Sequence, residues 1–110
     1  MKKINIKKIK KKWEFDSNSI KNLFFTIVDR KEKFPKGSYT TSLFKAGLDK
    51  ISLKVAEESL EVVHAAQKQT QKRLVEETVD LLYHLFVLLA EKNVSLDQVE
   101  SEIKKRKKWF

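Results

Sequence analysis

Five acidic residues form two short patterns in segments whose apolar residues recur at helical spacing. Glu57, Glu58 and Glu61 make the pattern EExxE, and Glu77 and Asp80 make the pattern ExxD. With about 100° of rotation per helical residue, Glu58 falls inside the apolar arc of its helix, whereas Glu61 lies about 60° to one side and Glu57 about 100° away. A carboxylate in an apolar setting is costly unless a cation neutralises it. The spacing therefore indicates a cation site.

The register of the two patterns predicts that their carboxylates meet. Two helices joined by a short turn pack antiparallel, so residues equally distant from the turn face each other. The pairs Glu58–Asp80 and Glu61–Glu77 are both centred on residue 69, in the polar stretch 68–72 (KQTQK). We therefore expect four carboxylates to converge between two helices. Oxygen-only ligands suit hard divalent cations, Mg²⁺ or Mn²⁺, better than Zn²⁺.

Two alternatives require no metal. In the first, EExxE is an ordinary solvated helix face, with Lys54 paired to Glu58 at i, i+4. In the second, the carboxylates form a buried cluster that holds the helices together through hydrogen bonds. His84, one turn after Asp80 and among large apolar residues, is interpreted as a core histidine that donates to Asp80 or to a backbone carbonyl. His64 is interpreted as structural or exposed.

The elements that must position these residues are helices. The 110-residue chain has two Gly, one Pro and no Cys. This composition argues against a turn-rich β fold and excludes disulfides, cysteine nucleophiles, thiolate metal sites and glycine-rich phosphate loops. There is no alternating strand pattern and no repeat. We therefore predict an all-α fold of four or five helices, with a central antiparallel pair that carries the carboxylates.

Caps and breakers set the predicted bounds of the helices. Residues 16–19 offer N-caps for the first helix, residues 34–37 form a turn, and Asp49 is predicted to cap the first long helix. Asn93 is predicted as a left-handed C-cap, and Ser95 opens a capping box. The predicted helices run from about Ile20 to Glu32, Thr41 to Ala46, Lys50 to Gln67 and Arg73 to Lys92, with a last helix after Ser95.

The net charge of +9 comes from the two ends of the chain. Residues 1–12 hold seven lysines, residues 104–108 add five positive charges, and the stretch between them carries 12 basic and 15 acidic residues, a balance of −3. We predict a Lys-rich arm at 1–12 and one helical domain at 13–110. Such charge blocks are usually solvated tails. A non-enzymatic protein that binds nucleic acid through both tails remains the alternative.

No targeting segment is expected. The first twelve residues contain no apolar stretch of the kind a secretory signal needs. The longest uncharged apolar run, Leu81–Ala90, has ten residues and is too short to cross a bilayer. We therefore expect a cytoplasmic protein without a membrane partner.

The stretch from Leu23 to Arg106 resembles the phosphoribosyl-ATP pyrophosphohydrolases, a family of all-α, MazG-like nucleotide pyrophosphohydrolases. EExxE with ExxD is typical of the superfamily, and GSYT and DLLYHL are more specific to the histidine-pathway enzymes. Ala56 stands where this family commonly has Gly, a change that favours the helix and alters no ligand. The segments that carry the resemblance are Pro35–Thr40 (PKGSYT), Lys54–Val62 (KVAEESLEV), Glu77–Leu85 (ETVDLLYHL) and Arg106.

The resemblance implies a function and a site. The implied reaction is hydrolysis of phosphoribosyl-ATP to phosphoribosyl-AMP and pyrophosphate, the second step of histidine biosynthesis. The implied Mg²⁺ ligands are Glu58, Glu61, Glu77 and Asp80. By the same resemblance Glu57 binds metal or positions the attacking water. Glu57 or Glu61 is also a candidate to take the water's proton.

The resemblance further implies the groups that contact the substrate. Lys54 would face the phosphates, and the stretch between the first helix and the metal helices would contact the phosphoribosyl and triphosphate groups. The resemblance also implies a dimer, which would cover the faces of a helix as apolar as 81–90. A nearby alternative is a house-cleaning enzyme for another nucleoside triphosphate. The candidates in the intervening stretch are Arg30, Lys36, Ser38, Tyr39 and Thr40.

Overall fold

The computed structural model describes residues 19–110, so the Lys-rich arm at 1–12 and the N-cap candidates at 16–18 lie outside the described residues. Within the described part the chain is helical and contains no strand, which confirms the all-α prediction. The elements are α1 (Ser19–Lys33), α2 (Tyr39–Ala46), α3 (Leu48–Lys68), α4 (Gln71–Glu91), α5 (Leu96–Lys105) and a 3₁₀ helix (Lys107–Trp109).

Helices α3 and α4 form the predicted central pair. The chain reverses at Gln69 and Thr70, inside the predicted polar break, although no Gly or Pro is present there. The Thr70 hydroxyl caps α4 by accepting from the backbone N–H of Arg73 at 3.2 Å. With so short a connection the two helices run antiparallel, and they share the most extensive helix contact among the described elements.

The first half of the chain differs from the prediction in two places. Helix α2 begins at Tyr39 rather than near Thr41, because the Ser38 hydroxyl caps it by accepting from the Thr41 N–H at 3.3 Å. The prediction that Asp49 caps α3 is wrong. Gly47, whose φ of 92° is readily adopted only by glycine, ends α2 and starts α3. Asp49 lies in the first turn of α3, where its charge still suits the helix N-terminus.

The end of the chain follows its predicted caps. Asn93 has a φ of 56°, which confirms the left-handed C-cap after α4. The capping box is confirmed as well, since Ser95 accepts from the Gln98 N–H at 3.2 Å and the Gln98 side chain accepts from the Ser95 N–H at 2.8 Å. Helix α5 has no buried residue.

Helix α4 is the centre of the core, as its apolar stretch predicts. Phe86, Val87 and Ala90 of α4 are buried against α1, α2 and the start of α3, and the Phe24 and Phe86 rings meet edge to face at 5.4 Å. Among the helices that the structure describes, none is long and apolar enough to cross a membrane. The buried apolar set is Phe24 and Ile27 of α1, Leu43 and Phe44 of α2, Ile51 of α3, and Phe86, Val87 and Ala90 of α4.

Candidate active site

Three carboxylates meet between α3 and α4. Glu58, Glu77 and Asp80 each place one carboxylate oxygen so that the three oxygens lie within 4.8 Å of one another. The side chain of Glu77 is 7% exposed and that of Glu58 is 14% exposed, whereas Asp80 lies open to solvent. The cluster is therefore accessible to an ion from one side and shielded on the other. The predicted register of Glu58 against Asp80 is realised.

The predicted convergence of four carboxylates is not met in full. Glu61 is exposed and lies outside the three-carboxylate group, because its position on α3 turns it about 60° away from Glu58. Glu57 is half exposed beside the cluster, as its position on the wheel predicts. The cluster thus consists of two largely buried carboxylates, Glu58 and Glu77, and one exposed carboxylate, Asp80. Glu57 and Glu61 are exposed acids outside it.

Two cations balance part of the charge of the cluster. The Lys54 ammonium lies 3.4 Å from Glu57 and 3.6 Å from Glu58, which is the i, i+4 pairing of the metal-free alternative. Arg73, one turn before Glu77, forms a short hydrogen-bonded ion pair with it. Among residues 19–110 no cation lies within ion-pair distance of Asp80. The cluster therefore carries unbalanced negative charge on its exposed side.

Lys54 is held in its charged form. Its partial burial alone would lower the pKa of its ammonium group. The nearby Tyr39, Glu57 and Glu58 act in the opposite direction and outweigh burial, so the pKa lies above its ordinary value. Lys54 is thus a permanent cation at the edge of the cluster.

The first turn of α2 reaches α4 through two hydroxyl contacts. The Tyr39 hydroxyl lies 3.0 Å from Nε2 of His84, and the Thr40 hydroxyl is hydrogen-bonded to the hydroxyl of Tyr83. Burial is the main cause that raises the pKa of the Tyr83 hydroxyl. Both contacts join α2 to the helix that carries Glu77 and Asp80.

An open cavity of about 310 Å³ lies at the start of α2. Ser38 and Tyr39 line this cavity, whereas Lys36 is simply exposed in the turn. Sequence reasoning missed Lys45, which adds a cation to the cavity from the last turn of α2. The full lining is Gly37, Ser38, Tyr39, Thr41, Ser42 and Lys45.

The two histidines behave as the sequence suggested. His84 is buried, and its Nδ1 lies 2.7 Å from the backbone carbonyl of Asp80, so the interpretation as a core donor to a carbonyl is confirmed. His64 is exposed. Arg30 is paired with its neighbour Asp29 at 2.9 Å, and none of its ion pairs with described residues involves the carboxylate cluster. Arg30, like Lys36, is thus a substrate candidate that no contact within the described residues links to the rest of the site.

Arg73, which pairs with Glu77, is a second residue of the site that sequence reasoning missed. The sequence contains the information needed to find it, because Arg73 and Glu77 are four residues apart and therefore lie on the same face of a helix. Arg73 lies directly after the polar break 68–72, as the first residue of the predicted helix, and only the acidic residues of that helix were considered as site candidates.

The donor set fits a hard divalent cation. All three converging groups are carboxylates, and oxygen ligands of this kind suit Mg²⁺, Mn²⁺ or Ca²⁺. The fold and the site together define an all-α protein whose central helix pair could bind a divalent cation beside a fixed lysine.

Comparison with known proteins identifies the family within this class. The family model for phosphoribosyl-ATP pyrophosphohydrolase matches residues 20–107, and the chain belongs to this family. A phosphoribosyl-ATP pyrophosphatase of Clostridium botulinum (strain Hall) is 50% identical over 91 residues, 83% of each chain. A phosphoribosyl-ATP pyrophosphatase of Listeria welshimeri is 52% identical over 87 residues, 79% of this chain and 84% of the relative. A phosphoribosyl-ATP pyrophosphatase of Bacillus cytotoxicus is 48% identical over 87 residues, 79% of this chain and 81% of the relative.

Proposed function

We propose that this chain is a Mg²⁺-dependent enzyme that hydrolyses phosphoribosyl-ATP to phosphoribosyl-AMP and pyrophosphate, the second step of histidine biosynthesis. The observation that carries the proposal is the convergence of Glu58, Glu77 and Asp80 within 4.8 Å in a chain of this family. The substrate is a phosphorylated metabolite, so we propose that the enzyme acts in the cytoplasm.

We propose that Glu58, Glu77 and Asp80 hold the Mg²⁺, with Glu61 as a further ligand. When bound, Mg²⁺ neutralises charge on the phosphates and lowers the pKa of a coordinated water. Mn²⁺ can take its place, because its ligand preferences are similar. Asp80 is open to solvent and has no cation within ion-pair distance among the described residues, so its carboxylate is available to a cation from solvent.

Glu57 and Lys54 are proposed to act on the water and the phosphates. Glu57 is half exposed, next in sequence to the ligand Glu58, and so stands where it can accept a proton from water. Lys54 now bridges Glu57 and Glu58. From this position beside the carboxylate cluster, the Lys54 ammonium would stabilise charge on the leaving pyrophosphate.

The turn before α2 and the first turn of α2 are proposed to bind the rest of the substrate. Ser38 and Tyr39 line the cavity at the start of α2, and Lys36 and Arg30 supply positive charge toward the phosphoribosyl and triphosphate groups. Thr40 is proposed to act with them and is already anchored to α4. The Tyr39 ring is about half exposed, so it can contact a base or ribose.

We further propose that the enzyme is a homodimer. On the side of α3 and α4 away from the core, five large apolar residues are each more than half exposed. A second copy of the same helix pair would cover them and bring two sites into one assembly. Light scattering of the purified protein tests this, and a monomer at all concentrations would contradict it. The exposed residues are Leu53, Leu60, Val63, Val75 and Val79.

The decisive experiment is pyrophosphate release from phosphoribosyl-ATP with Mg²⁺. Wild type is compared with a Glu58→Gln, Asp80→Asn double variant and with a Glu102→Gln variant, which changes an exposed acid of α5 that is not part of the cluster. ATP and deoxynucleoside triphosphates serve as rival substrates. We expect turnover of phosphoribosyl-ATP by wild type and Glu102→Gln, and its loss in the double variant.

Other outcomes would contradict the proposal in different ways. Turnover confined to a deoxynucleoside triphosphate would keep the metal site and change the substrate to that of a house-cleaning enzyme. Full activity in the double variant would refute the site. Salt-sensitive nucleic-acid binding with no turnover of any substrate would favour the basic tails over the enzyme.

A further inference from the structure

We infer that His84 is a positioning residue: its ring holds the hydroxyl of Tyr39 in a fixed place against α4, the helix that carries Glu77 and Asp80. The inference rests on the substrate role proposed above for Tyr39. His84 itself is buried, so it acts on the substrate through the exposed Tyr39.

The two ring nitrogens of His84 have different partners. Nδ1 lies 2.7 Å from the backbone carbonyl of Asp80, and Nε2 lies 3.0 Å from the Tyr39 hydroxyl. A carbonyl oxygen can only accept, so Nδ1 carries the hydrogen. In the neutral ring Nε2 is then an acceptor, and the Tyr39 hydroxyl donates to it. The helix that carries Asp80 thus sets the tautomer, and the tautomer sets the direction of the hydroxyl.

Packing fixes the ring as firmly as the hydrogen bonds do. His84 meets the Tyr83 ring edge to face at 4.9 Å and the Tyr39 ring at 5.9 Å. The Tyr39 and Tyr83 rings stack with centroids 6.0 Å apart. His84 is 6% exposed whereas Tyr39 is 53% exposed, so the buried ring orients the exposed one. The bond between Thr40 and Tyr83 provides a second anchor for the same turn.

The geometry assigns Tyr39 a definite hydrogen-bonding role. Its hydrogen is used by His84, so its oxygen offers lone pairs to donors on the other side. The hydroxyl oxygen is therefore oriented to accept a hydrogen bond from a donor of the bound substrate, such as a hydroxyl group of its sugar. Loss of this orientation should weaken substrate binding more than it slows the chemical step.

Two amide substitutions at residue 84 separate positioning from packing. The amide nitrogen of Asn lies near the place of Nδ1, so His84→Asn retains a donor for the Asp80 carbonyl and loses the bond to Tyr39. The amide of Gln lies near the place of Nε2, so His84→Gln retains a partner for Tyr39. Both replace the ring with a smaller polar side chain, so each is the packing control for the other. Tyr39→Phe removes the same bond from an exposed residue whose replacement leaves the core intact.

The measurement is KM and kcat for phosphoribosyl-ATP in the wild type, the three single variants and the His84→Asn, Tyr39→Phe double variant. We expect His84→Asn and Tyr39→Phe each to raise KM about tenfold with kcat changed less than about threefold, the size of one well-placed hydrogen bond. His84→Gln should stay within about threefold of wild type in KM. The double variant should be no worse than the worse single variant, because both changes remove one bond.

Several results would overturn the inference while leaving the proposed function intact. These are an unchanged KM in Tyr39→Phe, equal defects in the Asn and Gln variants, or additive effects in the double variant. If the variants at residue 84 do not fold, the KM of Tyr39→Phe decides alone. A wild type without activity on phosphoribosyl-ATP would instead refute the proposed function, and with it the substrate role on which the inference rests.

Discussion

Two arginine–glutamate pairs with the same i, i+4 spacing occupy contrasting regions of the molecule. Arg73 and Glu77 stand at the start of α4, and Glu102 and Arg106 stand at the end of α5. The Glu102–Arg106 pair has Glu first and Arg last, which is the orientation that stabilises a helix. The pair in α4 has the opposite order and puts a cation near the positive end of the helix. Helix stability alone does not explain it.

Burial accounts for the difference between the two pairs. Both side chains of the α5 pair are about half exposed, whereas the side chain of Glu77 is only 7% exposed. A shielded carboxylate needs a counter-ion, and in the described structure Arg73 is that counter-ion. The comparison teaches that identical charge spacing can signify a solvated surface or a site prepared for a cation. Glu77 belongs to the second kind because its side chain is buried and because the carboxylates of Glu58 and Asp80 lie next to it.

The largest predicted effect is on catalysis. We expect Glu77→Gln to lower kcat/KM at least about a hundredfold, because loss of even an outer-shell partner of a metal costs up to about that much. Glu102→Gln, the same change in the surface pair, should leave kcat/KM unchanged. The measurement is pyrophosphate release from phosphoribosyl-ATP at saturating Mg²⁺. Equal activity in the two variants would show that Glu77 is no more important for catalysis than Glu102, and would contradict the prediction.

The second effect is the response of stability to the metal. A ligand at a hundred times its Kd stabilises a protein by about 2.7 kcal/mol, which for a small domain raises the melting temperature by roughly 10 °C or more. We expect this rise on adding Mg²⁺ to the wild type and to Glu102→Gln. The Glu58→Gln, Asp80→Asn variant should show none. A full shift in that variant, measured by differential scanning calorimetry, would place the metal elsewhere.

Much of this site could be predicted from the sequence because helical geometry is periodic. The positions of Glu58 and Asp80 followed from about 3.6 residues per turn and from one short connection at Gln69–Thr70. The same reasoning brought Glu61 into the group, and the structure leaves it outside. A register locates a residue on a helix face within tens of degrees, but it does not fix the direction in which an exposed side chain points.

The contact between Tyr39 and His84 could not be predicted by such reasoning. It joins residues 45 positions apart on helices that are not consecutive in the chain. Its existence depends on how α2 packs on α4, which apolar periodicity does not determine. The bounds of α2 were missed for a related reason, since the capping role of Ser38 becomes visible only once the preceding turn is in place.

The third prediction concerns the arginines themselves. Without Mg²⁺, Arg73→Gln should destabilise the protein by about 1–3 kcal/mol, because Glu77 loses the group that satisfies it. Mg²⁺ should restore most of this loss by supplying a new counter-charge. Arg106→Gln removes an exposed ion pair and the contact with the Trp109 ring at 4.7 Å, and should cost less than about 1 kcal/mol with or without metal. Urea unfolding of both variants checks this, and metal-independent destabilisation by Arg73→Gln would contradict it.

The smallest predicted effect is on the pKa of a tyrosine. The chain has two tyrosines, the exposed Tyr39 and the more buried Tyr83. In Tyr39→Phe only Tyr83 ionises, and its ultraviolet titration should lie above the ordinary value of about 10, because burial raises the pKa of its hydroxyl. The unfolded chain gives up this proton more readily than the folded protein. The stability that Tyr83 contributes is therefore complete below pH about 10 and is lost as pH rises through its folded pKa.

The control for this titration is the same variant in denaturant, where the phenol of Tyr83 should ionise at its ordinary pKa. Thr40→Val adds a further step, because the hydrogen bond from Thr40 acts against burial and lowers the pKa of Tyr83. Its removal should move the titration to still higher pH. A shift to lower pH would mean that the hydrogen bond stabilises the neutral phenol. In that case the Tyr83 hydroxyl donates the bond and the Thr40 hydroxyl accepts it.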